Sequence, residues 1–114
     1  MDVAALTLRR GDIVLAVSSG NYGKPRPALV VQSDLFNATH ASLTVCPVTS
    51  SLVEAPLYRI MVNASRASGL ERQSQVMVDK MQTLRRDRIR ERIGKMGLVQ
   101  MQAVERALRI WLRL

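Results

Sequence analysis

Apolar and polar positions along this chain follow one rhythm up to about residue 84 and another after residue 97. In the first stretch, short apolar runs are separated by clusters of Gly, Pro, Ser and Asn, the pattern of strands joined by turns. Asp12-Ile-Val-Leu-Ala-Val follows an Arg10-Gly11 turn signal and predicts a first strand. Ala28-Leu-Val-Val-Gln predicts a second, apolar on both faces and therefore central. Leu43 to Thr49 predicts a third, in which Pro47 has no N–H for the ladder and is expected to mark an edge or a bulge. Leu57–Val62 and Gln75–Asp79 predict two more, with Gln82-Thr-Leu continuing or bending the last.

The second rhythm is helical. Leu98, Met101, Val104, Leu108, Trp111 and Leu112 recur on one face of a helix over 98–112, with Gln102, Glu105, Arg106, Arg109 and Arg113 on the other. Glu105 and Arg109 are spaced as a favourable i,i+4 pair. Between the two regimes, Arg85 to Arg92 alternates charges around a lone Ile89 and reads as a helical turn or as a loop leading into a short strand at Arg92–Met96. Two loops carry clear signals. Ser18 to Pro27 is punctuated by two glycines and two prolines, and Ser33-Asp34 can cap a short turn at Leu35–Asn37. The expected fold is mainly β (α+β): a small closed or partly open barrel with a C-terminal amphipathic helix laid on the sheet or on a second copy. No repeat or linker divides the chain, so residues 1–114 are expected to form one domain.

Composition narrows the chemistry. Hydrophobic residues make up 47% of the 114, ordinary for a folded core and too many for a disordered basic tail. Seventeen Lys+Arg oppose nine Asp+Glu, a net charge of +8, and residues 85–114 alone carry +6 of it. That excess is either a solvated basic face or a surface for polyphosphate, nucleic acid or an acidic protein. Only four aromatic rings are present, which disfavours a reader built on a rank of stacking side chains. One cysteine precludes an intrachain disulfide, and one histidine precludes a His/Cys zinc site or paired-histidine catalysis. No phosphate-cradling glycine loop and no Gly-x-Ser-x-Gly elbow occurs. The longest stretch free of charged residues, 35–53, is polar and broken by Pro47, so no membrane helix is expected. With no visible signal peptide either, a reducing cytoplasm is the expected location.

Any catalysis must then come from Arg, Lys, Asp, Glu and hydroxyl groups. Arg26 lies between Pro25 and Pro27, so its guanidinium is presented at a loop–strand junction with little backbone freedom. Such a group can grip phosphate in two places and stabilise charge on a pentacoordinate phosphorus; a plain surface arginine is the alternative. Thr49 and Ser50 at a strand end can satisfy turn backbone or offer hydroxyls to phosphate. Asp79 and Lys80 form a surface pair or, in a cleft, a proton acceptor and a cation. His40 reads as a solvent-facing loop residue, Cys46 as a small buried hydrophobe, and Trp111 as core or dimer contact.

In order, Arg10-Gly-Asp-Ile-Val, Lys24-Pro-Arg-Pro-Ala-Leu-Val-Val-Gln-Ser-Asp, Val45-Cys-Pro-Val-Thr-Ser and Gln75-Val-Met-Val-Asp-Lys-Met-Gln-Thr-Leu resemble the MazF/PemK family of toxin endoribonucleases across nearly the whole chain. The resemblance implies an SH3-like barrel with a C-terminal helix, acting as a homodimer without metal or other cofactor. It implies cleavage of single-stranded RNA by attack of a ribose 2′-OH on its own 3′ phosphate, leaving a 2′,3′-cyclic phosphate and a 5′-OH. The family's catalytic Arg and Thr match Arg26 and Thr49, and Ser50 matches a position that touches RNA. Some members use an acid after strand five as base, matched by Asp79; those members carry an Arg two residues earlier, where this chain has Met77. Lys24 is expected to meet phosphate, Tyr22 to stack on a base and Lys80 to bind RNA. An acidic antitoxin with a disordered tail is the implied protein partner. Two alternatives remain open: a gyrase poison of the same fold, like CcdB, suggested by Trp111-Leu-Arg-Leu at the end, and a basic nucleic-acid-binding barrel without catalysis.

Overall fold

The computed structural model describes residues 7–18 and 23–114. Within them lie seven strands: β1 (Asp12–Ala16), β2 (Arg26–Val30), β3 (Ser42–Thr49), β4 (Arg59–Val62), β5 (Ser74–Met77), β6 (Gln82–Arg85) and β7 (Ile89–Lys95). A one-turn helix α1 (Asp34–Asn37) and a long helix α2 (Leu98–Leu112) complete them, with 3₁₀ turns at Val78–Lys80 and Arg86–Arg88. All pairings are antiparallel, in the order β4-β5-β3-β2-β1-β7, and β6 joins the outer side of β3. The sheet bends around β3 into an open barrel, and the end strands β4 and β7 are not paired with each other.

β3 shows how the bend is made. Ser42–Val45 pairs with β6, whereas Val48 and Thr49 pair with β5. Pro47 sits between the two partners. Thr44 accepts the Val31 N–H on the β2 side at 3.2 Å, so by alternation Pro47 turns its donor-less nitrogen to the opposite flank, where β6 has ended and β5 begins. The β2–β3 register runs unbroken through Ala28↔Pro47, Leu29↔Cys46 and Val30↔Val45. The proline therefore marks neither an edge nor a bulge; it stands in an interior strand where no bond is needed.

β2 lies between β1 and β3, and both its faces are buried, as its unbroken apolar run requires. Leu29 and Val31 join Ile13, Cys46, Val48, Val76, Val78 and the α2 residues Met101, Val104 and Ala107 in one core. Ala28 and Val30 join Val14, Leu43, Val45, Leu84 and Ile89 in a second. Helix α2 has the predicted bounds, but its buried line is Met101, Val104 and Ala107, while Leu98 is 75% exposed. Glu105 does not pair with Arg109. It accepts instead from Arg10 Nη1 at 2.7 Å, which ties the helix to the start of β1. Arg10 also donates Nε–H to the Val31 carbonyl.

Three further expectations change. The fifth strand ends at Met77, and Val78–Lys80 turns as a 3₁₀ helix before β6. Residues 85–96 hold both a 3₁₀ turn and a seven-residue strand, longer than the short strand expected, because β1 offers it a ladder from Asp12↔Lys95 to Ala16↔Ile89. The second and fourth strands begin at Arg26 and Arg59, two residues from the positions their apolar runs suggest. Ser33 does cap α1, accepting the Leu35 N–H, and Cys46 is fully buried.

Candidate active site

Arg26 opens β2 and Thr49 closes β3, so both stand at one end of the sheet. The last paired position between these strands is Ala28↔Pro47, and each residue lies two places beyond it. Because alternate residues of a strand share a face, the two side chains leave the same side of adjacent strands. They line one cleft of about 800 Å³, together with Ser50, Glu71, Arg72 and Lys80. Three cations and one carboxylate thus surround the two hydroxyls of Thr49 and Ser50. Arg26 is exposed and, among the described residues, has no carboxylate within ion-pair distance.

Thr49 is held in place locally. Its Oγ1 accepts the Ser51 N–H at 3.1 Å, which orients the oxygen and leaves the hydroxyl proton to donate. The loop that follows is pinned by Gln75, the β5 residue opposite Thr49. The Gln75 amide donates to the Val53 carbonyl at 2.8 Å and accepts the Val53 N–H at 3.1 Å. A buried side-chain amide that satisfies a backbone donor and acceptor at once fixes the loop as a strand pairing would.

The opposite wall comes from the segment after Ser65. Gly69, at φ +72°, crosses β7 so closely that a Cβ there would sit 2.0 Å from the Ile93 carbonyl oxygen; one on Gly94 would lie 2.1 Å from that of Ser68. The contact is sealed by the Lys95 N–H donating to Ala67 at 2.8 Å and by the buried Ser68 hydroxyl, which donates to the Asn63 carbonyl and accepts the Leu70 N–H. Leu70 then enters the core, and Glu71 and Arg72 face the cleft. Nothing in the local sequence shows where the 67–70 turn lands, so Glu71 and Arg72 are not among the expected site residues.

The remaining expected residues divide. Ser50 and Lys80 line the cleft; Lys24 is exposed and does not line it; Tyr22 lies outside the described residues. Asp79 is also absent from the lining. Its carboxylate accepts from Arg59 Nε at 2.7 Å and from Nη2 at 3.0 Å, a two-point pair in which the side chains are 16% and 12% exposed. Those bonds from Arg59 hold the Asp79 carboxyl below its ordinary range and raise the Arg59 guanidinium. Arg59 is the residue opposite Met77 in the β4–β5 ladder, so it supplies from the neighbouring strand an arginine that β5 itself lacks. Nothing in the local sequence links two residues twenty positions apart. At the C-terminus, the Trp111 ring packs on Tyr58 with centroids 5.5 Å apart. Among the described residues, no three His, Cys, Asp or Glu side chains gather as a metal site, and no helix is long and apolar enough to cross a membrane.

The sequence profile of the PemK-like, MazF-like toxins of type II toxin–antitoxin systems matches residues 9–112. The chain belongs to this family. A probable endoribonuclease MazF from Mycolicibacterium smegmatis is 44% identical over 106 residues, covering 92% of this chain and 96% of that protein. The endoribonuclease EndoA of Bacillus subtilis is 27% identical, over 96% of this chain and 97% of its own. In structure, the Mycobacterium tuberculosis toxin MazF-mt6 superposes with a TM-score of 0.78 at 23% identity, over 90% of this chain and 97% of the other. A mycobacterial endoribonuclease solved with its cognate antitoxin also scores 0.78, at 21% identity, over 94% and 96%. The open barrel with its C-terminal helix is thus the fold of the MazF-like toxins.

Proposed function

We propose that this toxin is an endoribonuclease that cleaves single-stranded RNA by attack of a ribose 2′-OH on the adjacent 3′ phosphate, with expulsion of the 5′ oxygen. The observation that carries this reading is the meeting of Arg26 and Thr49 at one cationic cleft. In it, Arg26 supplies two parallel N–H donors to the phosphorane oxygens, and the Thr49 hydroxyl donates to one of them. Lys80 and Arg72 hold neighbouring phosphates, and Ser50 adds a hydroxyl contact. Lys24 and Tyr22 precede Arg26 in sequence and are assigned to RNA beyond the scissile step. Use of the substrate's own 2′-OH makes the substrate RNA rather than DNA. Asp79 is occupied by Arg59, so the reading gives it no proton transfer. Glu71 is the carboxylate that lines the cleft among the described residues, and we assign it the 2′-OH proton.

Three further parts of the proposal follow from family membership and charge. The toxin works as a homodimer in the cytoplasm. Its basic 85–114 segment, with +6 of the net charge, attracts RNA flanks and an acidic antitoxin. The gyrase-poison alternative was suggested by Trp111-Leu-Arg-Leu at the end; in the fold Trp111 belongs to α2 and its half-exposed ring packs on Tyr58. The test is incubation of purified protein in EDTA with a long single-stranded RNA and mapping of the ends. Discrete cuts with 2′,3′-cyclic phosphate termini are expected, with rates falling about 10²–10³-fold in Arg26→Ala and Thr49→Ala. Intact RNA under all conditions removes the nuclease reading, and cutting that survives both substitutions moves the chemistry elsewhere.

A further inference from the structure

The 3₁₀ turn Val78–Lys80 sends three successive side chains in three directions, as its three residues per turn require. Val78 is fully buried in the core beneath the helix, Asp79 reaches back to β4, and Lys80 lines the cleft. The turn is joined at two points to β4 and the residue before it. The Val78 N–H donates to the Tyr58 carbonyl at 3.0 Å, and Asp79 receives the double bond from Arg59. Arg59 is itself braced, with its guanidinium carbon 6.0 Å from the centre of the Tyr58 ring, and that ring packs against Trp111 of α2. A lysine side chain is long and has four rotatable bonds, so an unsupported one spends little time at any single point. Here the backbone that launches it is fixed one residue upstream by a planar, two-point ion pair whose side chains are mostly shielded from water.

We propose that Arg59 and Asp79 are positioning residues: their pair locks the 3₁₀ turn against β4 and so presents Lys80 to an RNA phosphate in the cleft. The proposal rests on the reading above that Lys80 contacts RNA. It gives Asp79 a task that explains why its carboxylate faces β4 and not the cleft. It also predicts that Arg59→Lys is not a conservative change, because an ammonium cannot reproduce the fork.

The experiment is a mutant cycle on the full-length protein with a short RNA containing one mapped cleavage site. Steady-state kinetics are measured for wild type, Lys80→Ala, Asp79→Asn and the double variant, at a temperature where circular dichroism shows each folded. Lys80→Ala is expected to raise KM roughly tenfold with kcat within about twofold, the signature of a lost binding contact. Asp79→Asn is expected to raise KM by a comparable factor, and the double variant to match Lys80→Ala alone, since a clamp has nothing to hold once the lysine is gone. Should Asp79→Asn fail to fold, Arg59→Lys takes its place in the cycle with the same expected non-additivity. KM effects that multiply in the double variant overturn the clamp while leaving Lys80 in the site, as does an Asp79→Asn whose KM is that of wild type. A kcat loss of 10²-fold or more in Asp79→Asn, persisting without Lys80, overturns it in favour of a proton-transfer role. An unchanged KM in Lys80→Ala removes the phosphate contact and the clamp with it.

Discussion

Substituting Gly94 with alanine tests the crossing that builds one wall of the cleft. The added Cβ would lie 2.1 Å from the Ser68 oxygen, 2.2 Å from its carbonyl carbon and 2.6 Å from the Ala67 oxygen. Those are backbone atoms, and no side-chain rotation relieves them. To reach a normal separation of about 3.5 Å, the 67–69 turn must retreat by more than ~1 Å. That movement breaks the 2.8 Å bond from the Lys95 N–H to Ala67 and draws Leu70 from the core. Overpacking of this kind costs about 1–3 kcal/mol and the lost hydrogen bond about 0.5–1.5 kcal/mol, together about 1.5–4.5 kcal/mol. At roughly 4 °C per kcal/mol for a domain of this size, the melting temperature should fall by about 6–18 °C. Thermal unfolding followed by far-ultraviolet circular dichroism measures it. RNA cleavage below the transition should fall too, because Glu71 and Arg72 follow the displaced turn. A Gly94→Ala protein that melts within about 2 °C of wild type would show that the turn yields freely and that the crossing does not fix the wall.

Other expectations concern buried and charged groups. Burial pushes the Cys46 thiol up to about 12, with a further push from the Asp79 charge, so iodoacetamide at mildly alkaline pH should leave the folded protein unlabelled and label it fully in denaturant; rapid native labelling would contradict the burial. Asp79→Asn should cost about 1–3 kcal/mol at neutral pH, read from urea midpoints. Because Arg59 depresses the folded Asp79 pKa, that stabilisation is present above the unfolded carboxylate range, near pH 4, and is lost as pH falls further through the folded value. The gap between variant and wild type should therefore hold from pH 7 to about 5 and close in stronger acid; a gap independent of pH would mean that the charge is not its source. Glu105→Ala removes the partly exposed pair with Arg10 and should cost no more than about 1 kcal/mol, less at high salt; a larger loss would assign the contact a packing role.

Local periodicity carried much of the fold. The helix at 98–112, the capped turn after Ser33 and the central, doubly buried second strand each depend on neighbours within a few residues, and each was legible. The site was legible where it rests on strand ends: Arg26 is braced by prolines on both sides, and Thr49 closes an apolar run. Readings that needed a partner from elsewhere failed. Glu105 matched Arg109 by spacing, but Arg10, ninety-five residues away, wins it at 2.7 Å. Asp79 was weighed as a surface partner of Lys80 or a cleft base, whereas Arg59 holds it from the neighbouring strand. The strand at 89–95 was obscured because a charge-rich segment has no apolar period; it forms through the backbone ladder with β1.

Hydrophobic period, proline and capping groups act over a turn or two of chain, so the amino-acid order alone locates most of the strands, the C-terminal helix and the end of the second strand that carries the arginine. The composition of the cleft, by contrast, comes from long-range packing. Register along β3, shared between two partners on either side of Pro47, and the glycine-to-glycine contact at residues 69 and 94 bring Thr49, Glu71, Arg72 and Lys80 around Arg26. These juxtapositions depend on long-range distances of a few ångströms, which spacing along a chain does not encode.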